Sequence, residues 1–112
     1  MIPSDLFGAF ANPIRLRILN LLQEKKEICV CDLCEVLEEP QPKVSRHLAL
    51  LRQVGLVDVR AEKKWKLYAL TQASTPLHRT LLRCVRSCLV EFEELAADRR
   101  RLEAIEPRVR CT

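Results

Sequence analysis

The spacing of apolar residues changes twice along this chain, and that change restricts the fold more than any other feature. Leu6, Ala9 and Phe10 recur at helical steps, as do Ile14, Ile18, Leu19 and Leu22, then Leu33, Val36 and Leu37, then Val44, Leu48 and Leu51. After Gly55 the period becomes that of a strand. Val57, Val59 and Ala61 alternate with Asp58 and Arg60, and Trp65, Leu67 and Ala69 alternate with Lys66 and Tyr68. From Pro76 the helical step returns. With two glycines, Gly8 and Gly55, the chain lacks the turn residues that an all-β sandwich needs every 8–12 residues or so. The pattern predicts a mainly α fold with a small β-hairpin. At 112 residues, below the usual length of about 150 per domain, it forms one domain.

Local signals mark the ends of the elements. Asn12-Pro13 reads as a cap followed by a first-turn proline, Glu38–Pro42 as a turn, and Gly55 as a helix stop. Glu62-Lys63-Lys64 makes the basic tip of the hairpin. Beyond Pro76, Leu81, Val85, Cys88, Phe92 and Leu95 keep the steps of a coiled-coil seam. That stripe predicts one long terminal helix and a homodimer, with packing against the chain's own core as the alternative. Residues 1–98 are expected to form the folded domain, including its dimerisation helix. Residues 99–112, charged and containing Pro107, are expected to be a frayed tail.

Charge is unevenly distributed. Of a net +4, residues 41–66 carry +5, from Lys43, Arg46, Arg52, Arg60, Lys63, Lys64 and Lys66 against Asp58 and Glu62. Such a concentration is the footprint of a nucleic-acid partner or a solvated basic face. Two short helices, a tight turn and a basic hairpin together describe a winged helix-turn-helix, whose second helix enters the major groove of double-stranded DNA. With Val44, Leu48 and Leu51 turned inward, Gln41, Lys43, Ser45 and Arg46 face outward early in the fourth helix. Gln pairs with adenine and Arg with guanine, whereas Ser and Lys more often hold phosphate. Lys63 and Lys64 would press on the neighbouring backbone. His47 reads as a half-buried histidine bonded locally rather than a base contact.

No run of about 18 apolar residues is present, so no membrane span is expected. The start, Met1 to Asp5, lacks the basic region and apolar block of a secretory signal, which predicts a cytoplasmic protein. Its six cysteines therefore read as reduced thiols rather than as a disulfide framework. Cys84 and Cys88 stand one helical turn apart, with Cys88 in the apolar stripe, and Cys111 is in the tail. Cys29, Cys31 and Cys34 put three soft sulfurs within six residues, which suits a thiophilic ion. No second pair completes a four-ligand zinc site nearby. Trivalent arsenic or antimony takes the open pyramid that three thiolates make. The alternative is that two of the three are small buried hydrophobes.

In a helix, at about 100° per residue, Cys31 and Cys34 lie roughly 60° apart, whereas Cys29 lies roughly 160° from Cys31. Closing a three-thiolate site should therefore unwind or bend the first turn of the third helix. That helix packs on the recognition helix, so metalloid and DNA are expected to compete. An enzyme using these cysteines, such as a thiol or arsenate reductase, would need an anion-binding loop beside them. Glu27 and Asp32 flank the cluster instead. A redox-sensing DNA-binding protein of the same fold, with a disulfide in place of a metalloid, is a rival reading.

Ala11-Asn12-Pro13-Ile14-Arg15-Leu16-Arg17-Ile18-Leu19, Glu27-Ile28-Cys29-Val30-Cys31-Asp32-Leu33-Cys34, and Val44-Ser45-Arg46-His47-Leu48-Ala49-Leu50-Leu51 through Gly55-Leu56-Val57 resemble the ArsR/SmtB family of metal-sensing repressors. The cysteine segment is similar to that of its arsenic-responsive branch. The resemblance implies a dimeric winged-helix repressor that leaves an inverted-repeat operator when arsenite or antimonite binds Cys29, Cys31 and Cys34. It also implies autoregulation of a resistance operon, without an organic cofactor. A related cadmium and lead branch adds ligands from a longer N-terminal arm, and the arm here is short and has no cysteine. The sequence departs from the family at Pro40, where a serine often stands near the fourth helix's cap; the departure bears on that capping bond.

Overall fold

Asn12 sets the first long helix at its start. Its Oδ1 accepts hydrogen bonds from the backbone N–H of Ile14 (2.9 Å) and Arg15 (3.1 Å), and Pro13 occupies the first turn. The computed structural model describes residues 2–105, so Pro107 and Cys111 lie outside the described residues. Along the chain run α1 (Pro3–Phe10), α2 (Pro13–Leu22), β1 (Ile28–Cys29), α3 (Val30–Leu37) and α4 (Gln41–Val54). There follow β2 (Val57–Glu62), β3 (Trp65–Leu70), α5 (Pro76–Ser87) and α6 (Glu93–Ala104). None of these helices is long and apolar enough to cross a membrane.

The expected helix faces are the buried ones. Ile18, Leu19, Leu33, Val44, Leu48 and Leu51 are sealed in one core shared by α2, α3, α4 and the sheet. The turn between α3 and α4 is closed by Glu38 in the left-handed region (φ 57°), whose N–H bonds Cys34 O. Pro40 then caps α4 with no side-chain bond. At the other end of α4, Gly55 takes φ 96°, and Leu56 N–H reaches back to Leu51 O at 2.9 Å. This six-to-one bond, with a residue at positive φ before it, is the Schellman stop for which glycine is suited. The hairpin turns at Lys63 and Lys64, with Lys63 at φ 58°.

Two sequence expectations are corrected. The sheet has three strands, in the order β1-β3-β2, because Ile28 and Cys29 pair antiparallel with Tyr68 and Leu67. Two residues are too short to show a period, so the sequence pattern gave no sign of β1. The single terminal helix is also absent: the helix breaks between Ser87 and Glu93, and α6 folds back onto α2 and α3. Val85 (2% exposed) and Leu95 (5%) are consumed by the chain's own core, Leu81 is half-buried against it, and Cys88 and Phe92 are exposed. These five residues therefore do not form a continuous seam.

Buried polar pairing is the reason for the break. Arg17 Nε and Nη2 donate to the two oxygens of Asp98 at 2.8 and 3.0 Å, with Asp98 wholly buried. Asn20 Nδ2 donates to Leu95 O (3.1 Å), and Arg101 Nε donates to Val36 O (3.0 Å). A straight continuation of α5 would carry Asp98 away from Arg17 and forgo these bonds together with the apolar burial of Leu95 and Leu102. The same contacts take α6 past the expected boundary at residue 98, to Ala104, with Leu102 only 2% exposed.

Candidate functional site

The short β1 strand delivers Cys29 to the start of α3 as its cap rather than as part of the helix. Its Sγ accepts a hydrogen bond from Cys31 N–H at 3.3 Å. The helical angle expected between Cys29 and its neighbours therefore does not apply, since the backbone at Cys29 is extended (φ −66°, ψ 142°). Cys29 is buried, and burial pushes its thiol pKa up, while bonds from the helix's first N–H groups oppose the rise. Cys31 and Cys34, half-buried, do share a face. Both border a cavity of about 660 Å³ whose other walls include Gln41, Ser45, Lys64, Trp65, Lys66 and Tyr68. Cys29 borders a separate, smaller cavity with Lys25, Glu27, Asp32 and Leu67.

Three sulfurs so close in sequence are a donor set that fits a thiophilic ion. Among the described residues, however, no three ligating side chains already converge on one point. Two thiols face one cavity and the third is turned into a cap bond. Bringing Cys29 to the others means giving up that bond at the first turn of α3. The cost is small, because sulfur is a weak acceptor.

On α4, Gln41 and Arg46 are exposed, and Lys43 and Ser45 are half-exposed. Lys43 pairs with Glu39 at 3.1 Å. Lys63 and Lys64 project from the hairpin tip, Lys64 lying 5.2 Å from the centre of the Trp65 ring. The early turns of α4 and the hairpin thus flank one cleft, with Cys31 and Cys34 at its floor. Arg60, counted with the basic stretch, is neutralised locally by Glu27 (2.6 and 2.8 Å) and Glu62 (2.7 Å). His47 is half-buried, but its partner is distant in sequence: Nδ1 lies 3.1 Å from Arg15 Nη1, which ties α4 to α2. Burial and then the Arg15 charge lower its pKa.

Lys66, Trp65 and Tyr68 were not among the expected site residues. A signal for two of them was present: in β3, Lys66 and Tyr68 alternate with buried Leu67 and so take the opposite face of the strand. Which element that face meets is a tertiary fact.

Residues 12–59 match the model of the bacterial regulatory protein, arsR family. The chain is 51% identical over 71 residues to an arsenical resistance operon repressor of Escherichia coli (strain K12), a match spanning 63% of this chain and 61% of that protein's length. It is 43% identical over 65 residues to an uncharacterised HTH-type transcriptional regulator of Methanocaldococcus jannaschii, covering 58% of this chain and 73% of the relative. Among solved structures, HlyU from Vibrio cholerae N16961 superposes with a TM-score of 0.64 at 35% identity, over 73% of this chain and 85% of that one. The cap at Asn12, the α3–α4 pair and the start of β2 lie inside the region matched by the family model. The chain belongs to the arsR family of bacterial regulatory proteins.

Proposed function

We propose that this chain is a transcriptional repressor that binds an inverted-repeat operator as a homodimer and is released when arsenite or antimonite binds Cys29, Cys31 and Cys34. The observation that carries the reading is the shared cleft: the thiols of Cys31 and Cys34 form a cavity with Gln41 and Ser45 of α4 and with Lys64 and Lys66 of the hairpin. A ligand held there lies between the two elements that would grip DNA. In this reading Gln41 and Arg46 reach base edges, and Lys43, Ser45, Lys63 and Lys64 hold phosphate. Two copies are related by a two-fold axis, with half-sites about one helical turn apart or a multiple of it. The domain comprises the winged helix with α5 and α6. Apolar side chains left exposed at the α5–α6 joint, Val90 (52%) and Phe92 (53%), offer a surface for the second copy.

Release follows from competition for one helix turn. Recruiting Cys29 removes the cap on Cys31 N–H and disturbs the start of α3, which packs on α4. Taking the protein from mostly bound to mostly free needs roughly 5.5 kcal/mol of differential binding, a scale three sulfur bonds can supply. The test is a mobility-shift titration with arsenite, antimonite, cadmium, zinc and peroxide side by side. Arsenite and antimonite should release the parent protein, and Cys31→Ser or Cys34→Ser should stay on the operator at the same doses. Release by peroxide or cadmium alone would overturn the reading.

A further inference from the structure

We propose that Arg15 and His47 are positioning residues for DNA binding: their contact fixes the pose of α4, so that operator binding requires an uncharged His47. The inference rests on the reading of α4 as the helix that enters the major groove. Arg15 lies on α2 and spends each of its guanidinium nitrogens on a different partner. Nε donates to Ala9 O at 2.9 Å and Nη2 to Gly8 O at 3.1 Å, both near the end of α1. Nη1 lies 3.1 Å from His47 Nδ1 on α4. One rigid, planar group thus ties α1, α2 and α4 to one another. His47 directly follows the exposed Arg46 and is turned about 100° from it around the helix axis. Any tilt or rotation of α4 at His47 is therefore carried straight to Arg46.

The contact has a protonation requirement. A guanidinium can only donate, so His47 Nδ1 must be bare and accepting, with the ring proton on Nε2. A second proton, on Nδ1, sets two donors and two positive charges against each other, and the tie is lost. The surroundings keep the ring uncharged at neutral pH: burial first, then Arg15 from α2 and Arg46 and Lys43 from α4 itself, lower its pKa. Glu39, in the turn before α4, acts the other way but is paired with Lys43 at 3.1 Å. On α1, Asp5 lines a cavity that Arg15 also borders. Acidification should therefore open the tie and weaken DNA binding. Simple attraction has the opposite sign, because an added positive charge on α4 strengthens its hold on phosphate.

The test follows operator affinity by fluorescence anisotropy at constant ionic strength, from about pH 7.5 to 5.5, without metalloid. The parent should bind about threefold more weakly, or worse, at the acid end. His47→Asn places Oδ1 where the ring has Nδ1 and does not titrate, so it should match the parent at neutral pH and lose the pH dependence. His47→Leu has no acceptor and should bind about tenfold more weakly at neutral pH, the size of one charge-assisted hydrogen bond. The proposal is overturned by a parent whose affinity rises on acidification, or falls in step with that of His47→Asn. Equal affinities of His47→Leu and the parent overturn it too. NMR of the ring nitrogens in the DNA-free parent decides the matter if the variants do not fold: a proton on His47 Nδ1 at neutral pH overturns the proposal. A parent that binds no operator at neutral pH overturns the reading of function as well, whereas the other results overturn this proposal alone.

Discussion

The two sides of α3 are held by different chemistry. Towards α6 it meets an ionic network around the buried Asp98: Arg101 bonds Val36 O and Asp98, and Asp98 holds Arg17, which also donates to Leu37 O at 3.2 Å. Towards the hairpin it meets an open cleft, where two half-exposed thiols border the same cavity as α4 and a weak sulfur cap sits at the first turn. Charge removed from water resists disturbance, because each member leaves its partner stranded. A thiol cap gives way at small cost. The difference places rigidity at the C-terminal end of α3 and adaptability at its N-terminal end, where a ligand would act.

The largest expected effect breaks the rigid side. Asp98→Ala should cost about 3–5 kcal/mol, because it leaves the Arg17 guanidinium buried without its carboxylate. The paired change Arg17→Met/Asp98→Leu should cost far less. Urea denaturation of the three proteins measures both, and equal losses would show that packing rather than charge pairing holds α6.

Next in size is the open side. Arg46→Ala should weaken operator binding by about 1–3 kcal/mol and relax its sequence preference. Lys63→Ala should weaken all sequences alike and lower the slope of log affinity against log salt by about 1. Binding isotherms on operator and random duplex at several salt concentrations separate the two roles.

A smaller effect tests the joints between helices by pH. His78 is completely buried, accepts from Ser74 N–H at 3.3 Å, and sits beside Arg79; burial first and then that charge lower its pKa. His47, facing Arg15, Arg46 and Lys43, is lowered for the same reasons. Both bind fewer protons folded than unfolded, so the stability they contribute is present above the unfolded value of about 6.5 and is lost as pH falls through the lower folded values. The denaturation midpoint should therefore drop between about pH 7.5 and 5. The drop should shrink in His47→Gln/His78→Phe.

The smallest expected change is the most discriminating. Cys29→Ser exchanges a sulfur cap for a better oxygen cap, so stability should stay within a few tenths of a kcal/mol or rise slightly. Its response to arsenite should nevertheless be poor, since the third sulfur is gone. Thermal melts and operator release, measured on the same preparation, would show whether capping and sensing are separable in this residue.

Most of the helices, their caps and the hairpin were legible in the sequence because their causes are local. Asn12, Gly55 and the apolar steps of α2 to α4 act within a turn or two of the chain, and so does the alternation through β2 and β3. Cys31 and Cys34 could be placed on one face for the same reason. What only the tertiary structure decided depends on partners far apart in the chain. β1 exists because β3 offers it an edge, and α6 departs from α5 because Asp98 has Arg17 to meet. By period alone the apolar stripe from Leu81 to Leu95 predicted one long helix, with packing against the chain's own core as the alternative. The balance was settled by a buried ion pair spanning 81 positions, and no local pattern encodes such a pair.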